Sequence, residues 1–410
     1  MSSDSQQPRP PEGATTDTTT LLLCGARLDD GRTVDVRLSG GRIEAVGTPG
    51  SLGAHGTRVD LSGYLLLPAP AEPHAHADTA LSADVPGPVS YAAEDVQRRA
   101  TEAALLQLGH GATALRAHVR IGDVQGLAAL EAVLQARRSL RGLVDLATVA
   151  VPRLLTGVAG ADGLAMLRDA VKMGASAVGG RPDLDPDPAG YAEAVLEVAA
   201  EHGCAVDLHT DGDDPARLAR LAAMAGGLRP GVAIGPCGSL SRLPAEARGR
   251  VADRLAAAGV TVTCLPQGGC AGTDVRGPAP VRLLRSAGVR VAAGGGALRD
   301  VANPVGRGDP LEAAYLLVSQ GGLRPAEAYG AVSREAREAL GLPPVRVEAG
   351  FPAELLAVRG ERLAGVLSLA YSRVVVHRGR VVARTSAVRE YCDSAAALDL
   401  PRQSRPEARP

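Results

Sequence analysis

Residues 190–209 read GYAEAVLEVAAEHGCAVDLH. Tyr191, Val195 and Val198 recur at helical spacing and share one face, and Gly203 supplies a C-terminal stop. The run that follows, CAVDLH, is short and strand-like. A helix feeding directly into a buried strand is the unit of a parallel α/β architecture with right-handed crossovers. The same rhythm extends in both directions over residues 68–342. Eight strand candidates alternate there with Ala-, Leu-, Glu- and Arg-rich stretches such as AEDVQRRATEAALLQLG. They are YLLLPAPA, ATALRAHV, LVDLATVAV, ASAVGG, CAVDLH, GVAIG, VTVTCL and VRVAAGG. Eight repeats in this length predict a (β/α)8 barrel of the TIM type. The competing open doubly wound sheet calls for a Gly-rich phosphate loop after its first strand, and none is present. VAAGGGALRD follows the last strand and lacks dinucleotide spacing, so it reads as a tight strand-to-loop turn.

Outside the barrel the text changes. LLLCGARL, TVDVRLSG, GRIEAVG and TRVDLSGYLLL, within residues 21–67, are strand-like runs separated by turns such as DDG and SGG. AELLAVRG, LAGVLSLA and the hairpin RVVVHRGRVVAR repeat that character within residues 343–390. Each set is too short to close a core alone. Pairing them into one small β-sandwich domain is the economical solution, because chain ends often lie close together. Residues 1–20 and 391–410 are rich in Ser, Thr, Pro, Gln and Arg and read as disordered tails.

Composition removes several function classes. Lys and Arg number 44 against 45 Asp and Glu, so the chain as a whole has no basic nucleic-acid footprint. With no Trp and one Phe, Phe351, it also has almost nothing on which bases could stack. No signal peptide and no run of about 18 apolar residues is evident, which points to a cytoplasmic protein without a membrane span. The cysteines at 24, 204, 237, 264, 270 and 392 form no C-x-x-C pair and read as free thiols. A small molecule is the expected partner, and a homo-oligomer stays open.

In a barrel of this kind the chemistry sits where the strands end. The first candidate strand runs into Glu72-Pro73-His74-Ala75-His76. Residues i and i+2 project together, so His74 and His76 make half of a metal site. The plain alternative is a pair of hydrogen-bonded polar histidines at a loop. The fifth strand ends in Asp207-Leu208-His209-Thr210-Asp211-Gly212-Asp213, which offers His209 as a third ligand. Zinc or iron would suit such a partial site.

These stretches, with LRAHVRIGD, LVDLATVAVP, RDVANPVGRGDPLEAA and GFPAELLAVRG, resemble the metal-dependent amidohydrolase superfamily in its cytosine-deaminase-like branch. The resemblance runs from residue 21 to 385. It implies a (β/α)8 barrel with a small β-sandwich and hydrolysis of C–N bonds in small rings and amides. It also implies that His74, His76 and His209 are metal ligands. The family's acid/base Glu after the fifth strand falls on Gly212, its sixth-strand His on or beside Pro236, and its eighth-strand Asp on Gly295 or Gly296. Its ring-reading Gln falls on Arg153 and an aromatic on Ala302. Part of this needs no alignment: no His lies between His209 and His377, and no Glu between Glu201 and Glu246. Asp211 and Asp213 are the nearby carboxylates, and Asp300 reads as structural.

General acid–base catalysis alone is worth about 10²–10⁴ in rate. The expected function is therefore a deaminase homologue without the usual activity, acting as a non-catalytic or repurposed small-molecule-binding protein. Arg153 and Asp211 are its candidate ligand contacts. The vacated places predict a roomier and less charged mouth. The alternative is a metal-dependent hydrolase of cyclic amide or amidine C–N bonds that uses the three histidines, with Asp211 or Asp213 as substitute acid. An oxidoreductase or nucleotide binder is disfavoured by the missing phosphate loop.

Overall fold

A computed structural model of the chain describes residues 20–53, 56–268, 278–369 and 372–387. The tails expected to be disordered lie outside these residues, apart from Thr20, as do Cys270 and Cys392. Cys24, Cys204, Cys237 and Cys264 are free thiols.

The chain opens with five strands, β1 (Leu21–Arg27), β2 (Thr33–Ser39), β3 (Arg42–Gly47), β4 (Thr57–Asp60) and β5 (Tyr64–Pro68). Eight more follow, β6 (Ala71–Ala75), β7 (Ala114–Ile121), β8 (Asp145–Pro152), β9 (Ala177–Gly180), β10 (Ala205–Thr210), β11 (Val232–Pro236), β12 (Thr261–Cys264) and β13 (Arg290–Ala293). The last three are β14 (Leu355–Arg359), β15 (Arg373–His377) and β16 (Arg380–Thr385). Strands β6 to β13 form a parallel sheet in sequence order, with helices between them. Its two edges meet at a bridge between Ala75 and Gly296, which makes a nearly closed (β/α)8 barrel. The other strands form a separate sheet ordered β16-β15-β14-β5-β1-β2-β3, with β4 paired to β1. Its core holds Leu23, Val36, Leu38, Ile43, Leu61, Leu355 and Ala357.

Two readings of the sequence need correction. YLLLP does not begin the barrel. It is β5, antiparallel to β14 in the second sheet. Pro68 and Pro70 explain the break, because proline brings no N–H to a ladder, so the chain leaves one sheet and starts the next at Ala71. LAGVLSLA is not a strand either. Leu363–Leu369 is a helix, with Leu363, Val366 and Leu367 buried at i, i+3 and i+4.

The two sheets are joined by polar contacts as well as packing. Arg373 on β15 donates to both oxygens of Asp309, at 2.9 and 2.6 Å, and to the His110 carbonyl at 2.6 Å. Asp309 in turn caps the helix Pro310–Ser319 by accepting from the Leu311 N–H. The Tyr329 hydroxyl donates to the Pro68 carbonyl at 2.7 Å. Beneath the barrel, Ala336 of the helix Arg334–Ala339 packs on Ala71, Ala114 and Ala292 and closes its floor.

At the seam between β6 and β13 a side chain does what a ladder would do. The buried Glu72 carboxylate accepts the Gly295 N–H at 2.6 Å and the His74 N–H at 3.0 Å. A Cβ on Gly294 would stand 2.1 Å from Glu72 Oε1, so the glycine run in VAAGGG is required by close approach. Glu72→Ala leaves two buried donors unpaired, at about 1–3 kcal/mol each. Its urea midpoint should fall well below wild type, and an unchanged midpoint would show that the seam closes without it.

Candidate functional site

The site is built from three strand ends. His74 lies in β6 and His76 just beyond it, Arg116, His118 and Arg120 alternate along β7, and Asp207 and His209 alternate on β10. His209 Nε2 lies 2.8 Å from His74 Nε2 and 3.3 Å from His76 Nε2. The three rings therefore converge on one point, with ligand atoms all within 4.8 Å of one another. A neutral imidazole nitrogen carries either one proton or one lone pair, so His209 Nε2 cannot satisfy both neighbours. A cation shared by all three would do so, because nitrogens about 2.0–2.1 Å from one ion stand roughly 3 Å apart. The donor set fits a metal ion. The far nitrogens of His74 and His209 have no hydrogen-bond partner.

Below this trio is a second polar layer. Asp207 is fully buried and receives Arg116 Nη1 at 3.1 Å, with His118 Nε2 at 3.5 Å and His74 Nδ1 at 3.9 Å. Burial opposes its ionisation, but His118, Arg116 and His74 hold the carboxyl below the usual range. Arg116 also donates to the Ala339 carbonyl at 2.7 Å, which anchors it to the barrel floor. His118 stacks at 3.9 Å between ring centroids on His74. Sequence reasoning gave neither His118 nor Asp207 a place in the site. Asp207 stands two residues before His209 on the same strand, but a buried charge of this kind is recognisable only once its partner from a distant strand is in place.

Burial, followed by the charges of His118, Arg120 and Arg181, pushes His76 down to about 3. His74 and His209 are lowered well below 6.5, again by burial first and then by neighbouring imidazoles. Neutral imidazoles are the form a metal needs. Glu72 moves the other way, to about 7, because burial outweighs its backbone hydrogen bonds.

These shifts oppose one another in the folding equilibrium. The unfolded chain protonates the three histidines below about pH 6.5 and the folded chain does not. Their contribution is full above that pH and is lost on acidification. Glu72, and Asp78 raised by burial, contribute in the opposite sense, fully only below the unfolded carboxyl values. Three imidazoles outweigh two carboxyls, so the metal-free protein should unfold more readily at pH 5 than at pH 7. His209→Asn should flatten that slope by about one proton. A slope unchanged by the substitution would contradict this account of the cluster.

Above the trio lies a cavity of about 610 Å³. His76, His118 and His209 line its base, Tyr91 lines one wall, and Arg120, Arg153 and Arg181 line the cavity with them. The mouth is not bare of charge, since three arginines line it. Arg153 is at the cavity as expected. Asp211 is not among the lining residues: it belongs to the loop after β10, where its carbonyl accepts the Ser239 N–H. Asp213 is exposed in the same loop. Asp300 does line the cavity, but Oδ1 accepts the Ala302 and Asn303 N–H groups and Oδ2 accepts the Thr79 hydroxyl. Both of its oxygens are thus engaged by Thr79 and its own loop.

The positions where the family resemblance places acids carry backbone that resists them. Gly212 has φ +74° and Gly296 φ +70°, both left-handed. A Cβ would meet Leu240 Cγ at 2.9 Å at the first and Leu265 Cδ1 at 3.0 Å at the second. Pro236 ends β11 in register with Thr210. Gly212→Glu and Gly296→Asp should each lower the thermal unfolding midpoint, with backbone strain of about 1–3 kcal/mol per site. Midpoints equal to wild type would mean that the loops relax freely.

The amidohydrolase family model matches residues 79–383, and the chain belongs to that family. The resemblance to its cytosine-deaminase-like members stands. A pterin deaminase of Rhizobium rhizogenes is 26% identical over 389 residues, covering 86% of this chain and 88% of the relative. The crystal structure of N-isopropylammelide isopropylaminohydrolase from Burkholderia multivorans superposes with a TM-score of 0.81 at 26% identity, over 90% of this chain and all of that one. The structure of 5-methylcytosine deaminase from Klebsiella pneumoniae shares the fold, with a TM-score of 0.79 at 23% identity over 92% of this chain and all of the other. No helix among the described residues is long and apolar enough to cross a membrane.

Proposed function

We propose that this amidohydrolase-family protein binds a small molecule at the barrel mouth and does not carry out the deamination its relatives are named for. One observation carries the reading. Among the described residues the only carboxylate lining the cavity is Asp300, and both of its oxygens are engaged with Thr79 and its own loop. A deaminase must move protons to the departing nitrogen, and a positioned carboxylate contributes about 10²–10⁴ to that step. Gly212 and Pro236 supply no group that could do so.

His74, His76 and His209 would hold a zinc or iron ion, which would supply Lewis acidity at the base of the cavity. Asp207, pinned by Arg116, fixes the rings electrostatically from below. One observation favours the alternative, a hydrolase of cyclic amide or amidine C–N bonds. His118 reaches the same cavity with the Asp207 carboxylate behind it, an arrangement that can carry a proton.

The two readings separate on a simple assay. The protein is loaded with zinc and offered cytosine and pterin, and ammonia is followed. We expect zinc to raise the unfolding temperature of wild type but not of His209→Asn, because the ion binds only the folded site. We expect no ammonia release at an ordinary turnover of about 1 s⁻¹ or faster. Turnover at that rate, abolished in His118→Asn, would establish the hydrolase.

A further inference from the structure

We infer that the cavity takes a small organic anion whose oxyanion group, a carboxylate or a phosphate, is held by Arg181 and Arg120. The inference rests on the small-molecule-binding reading above and names the class of ligand.

Arg120, Arg153 and Arg181 project from the ends of three consecutive parts of the barrel: β7, the residue after β8, and the residue after β9. All three line one cavity. Guanidinium groups stay charged at any physiological pH and present a planar fork that matches carboxylate and phosphate oxygens. The opposing charge is small. Asp300 is the only carboxylate lining the cavity among the described residues, and its oxygens are already bonded. Asp78 lies behind the wall and approaches Arg120 Nε at 3.4 Å.

Arg181 is the sharpest element. It sits at the cavity close to His76 and His209, and among the described residues it has no carboxylate within 4 Å. A structural arginine at a barrel mouth would be expected to find such a partner. Arg120 keeps most of its side chain exposed and lies over the Tyr91 ring at 5.5 Å, which leaves its outer edge facing the cavity. A cleft lined by one sign of charge concentrates counter-ions of the other. Its volume falls in the range of ordinary small-molecule sites, enough for one or two fused rings with a charged substituent.

The test uses matched pairs that differ by one carboxylate: orotate against uracil, and pterin-6-carboxylate against pterin. Each is titrated calorimetrically into the full chain, with inorganic phosphate as a competitor. At least one charged partner should bind tenfold or more tightly than its neutral twin, with the advantage shrinking as salt is raised. Arg181→Gln should erase most of that advantage and leave the neutral twin's affinity unchanged. Arg181→Lys should restore part of it, and Arg168→Gln, on the outer surface, should change nothing. Competition by phosphate would assign the subsite to phosphate esters, and lack of it to carboxylates; either supports the inference. Equal affinities within both pairs would overturn it, as would a charge preference that survives both Arg181→Gln and Arg120→Gln. So would failure of every probe, phosphate included, to bind below about 1 mM. Ammonia released from a neutral twin would sink the proposed function and leave the charge preference standing. Equal binding without turnover would sink only the anion.

Discussion

Between the first and last barrel strands the ladder is reduced to a single bridge, and the buried Glu72 carboxylate supplies the missing acceptors. The same side chain binds the main chain of Gly295 on one side and of His74 on the other. Closure of the barrel and placement of the first imidazole are therefore one constraint. The glycines at 294–296 follow from it, since Glu72 occupies the space where a side chain on Gly294 would stand. A loop so shaped has little room for an acidic side chain reaching back toward the histidines.

The interior charges form two layers with different jobs. The lower one is internally neutralised: Asp207 faces Arg116, His118 and His74, and Arg116 is tied to the floor through Ala339. Burying such a pair costs desolvation and gains little net stability, but removing one partner leaves an unpaired charge in a dry interior. Its value is to fix the rings above it. The upper layer is the reverse. The imidazoles of His76 and His209, both held neutral by burial, sit at the base of a cavity lined by Arg120, Arg153 and Arg181, and Asp300 is the only carboxylate among its described lining residues. Arg181, with no carboxylate within 4 Å among the described residues, is the physical content of the binding proposal.

Much of this was legible in the sequence. The spacing of Tyr191, Val195 and Val198 before Gly203, repeated along the chain, gives strand–helix alternation and hence the barrel. The His74/His76 pair and His209 mark strand ends, and they converge. What failed was local. YLLL is equally apt for either sheet, and only the prolines at 68 and 70 separate the two. LAGVLSLA has the apolar content of a strand but buries at helical intervals. Glu72, Arg116 and Asp207 gave no composition signal, because a buried charge is recognisable only once its partner, from a distant strand, is in place. Arg120 and Arg181 were passed over for a similar reason: an arginine at a strand end looks like surface until the cavity around it is seen.

The central claim is that three imidazoles converge at the barrel mouth without an acid/base carboxylate beside them. A crystal structure of the zinc-loaded protein, with anomalous data at the zinc edge, tests it most directly. The account predicts one ion on His74, His76 and His209 at about 2.0–2.1 Å, Asp207 still paired with Arg116, and no protein carboxylate within hydrogen-bond reach of the ion's open side. An ion ligated by a carboxylate, or a second carboxylate poised over the three histidines, would contradict it and return the protein to the working hydrolases.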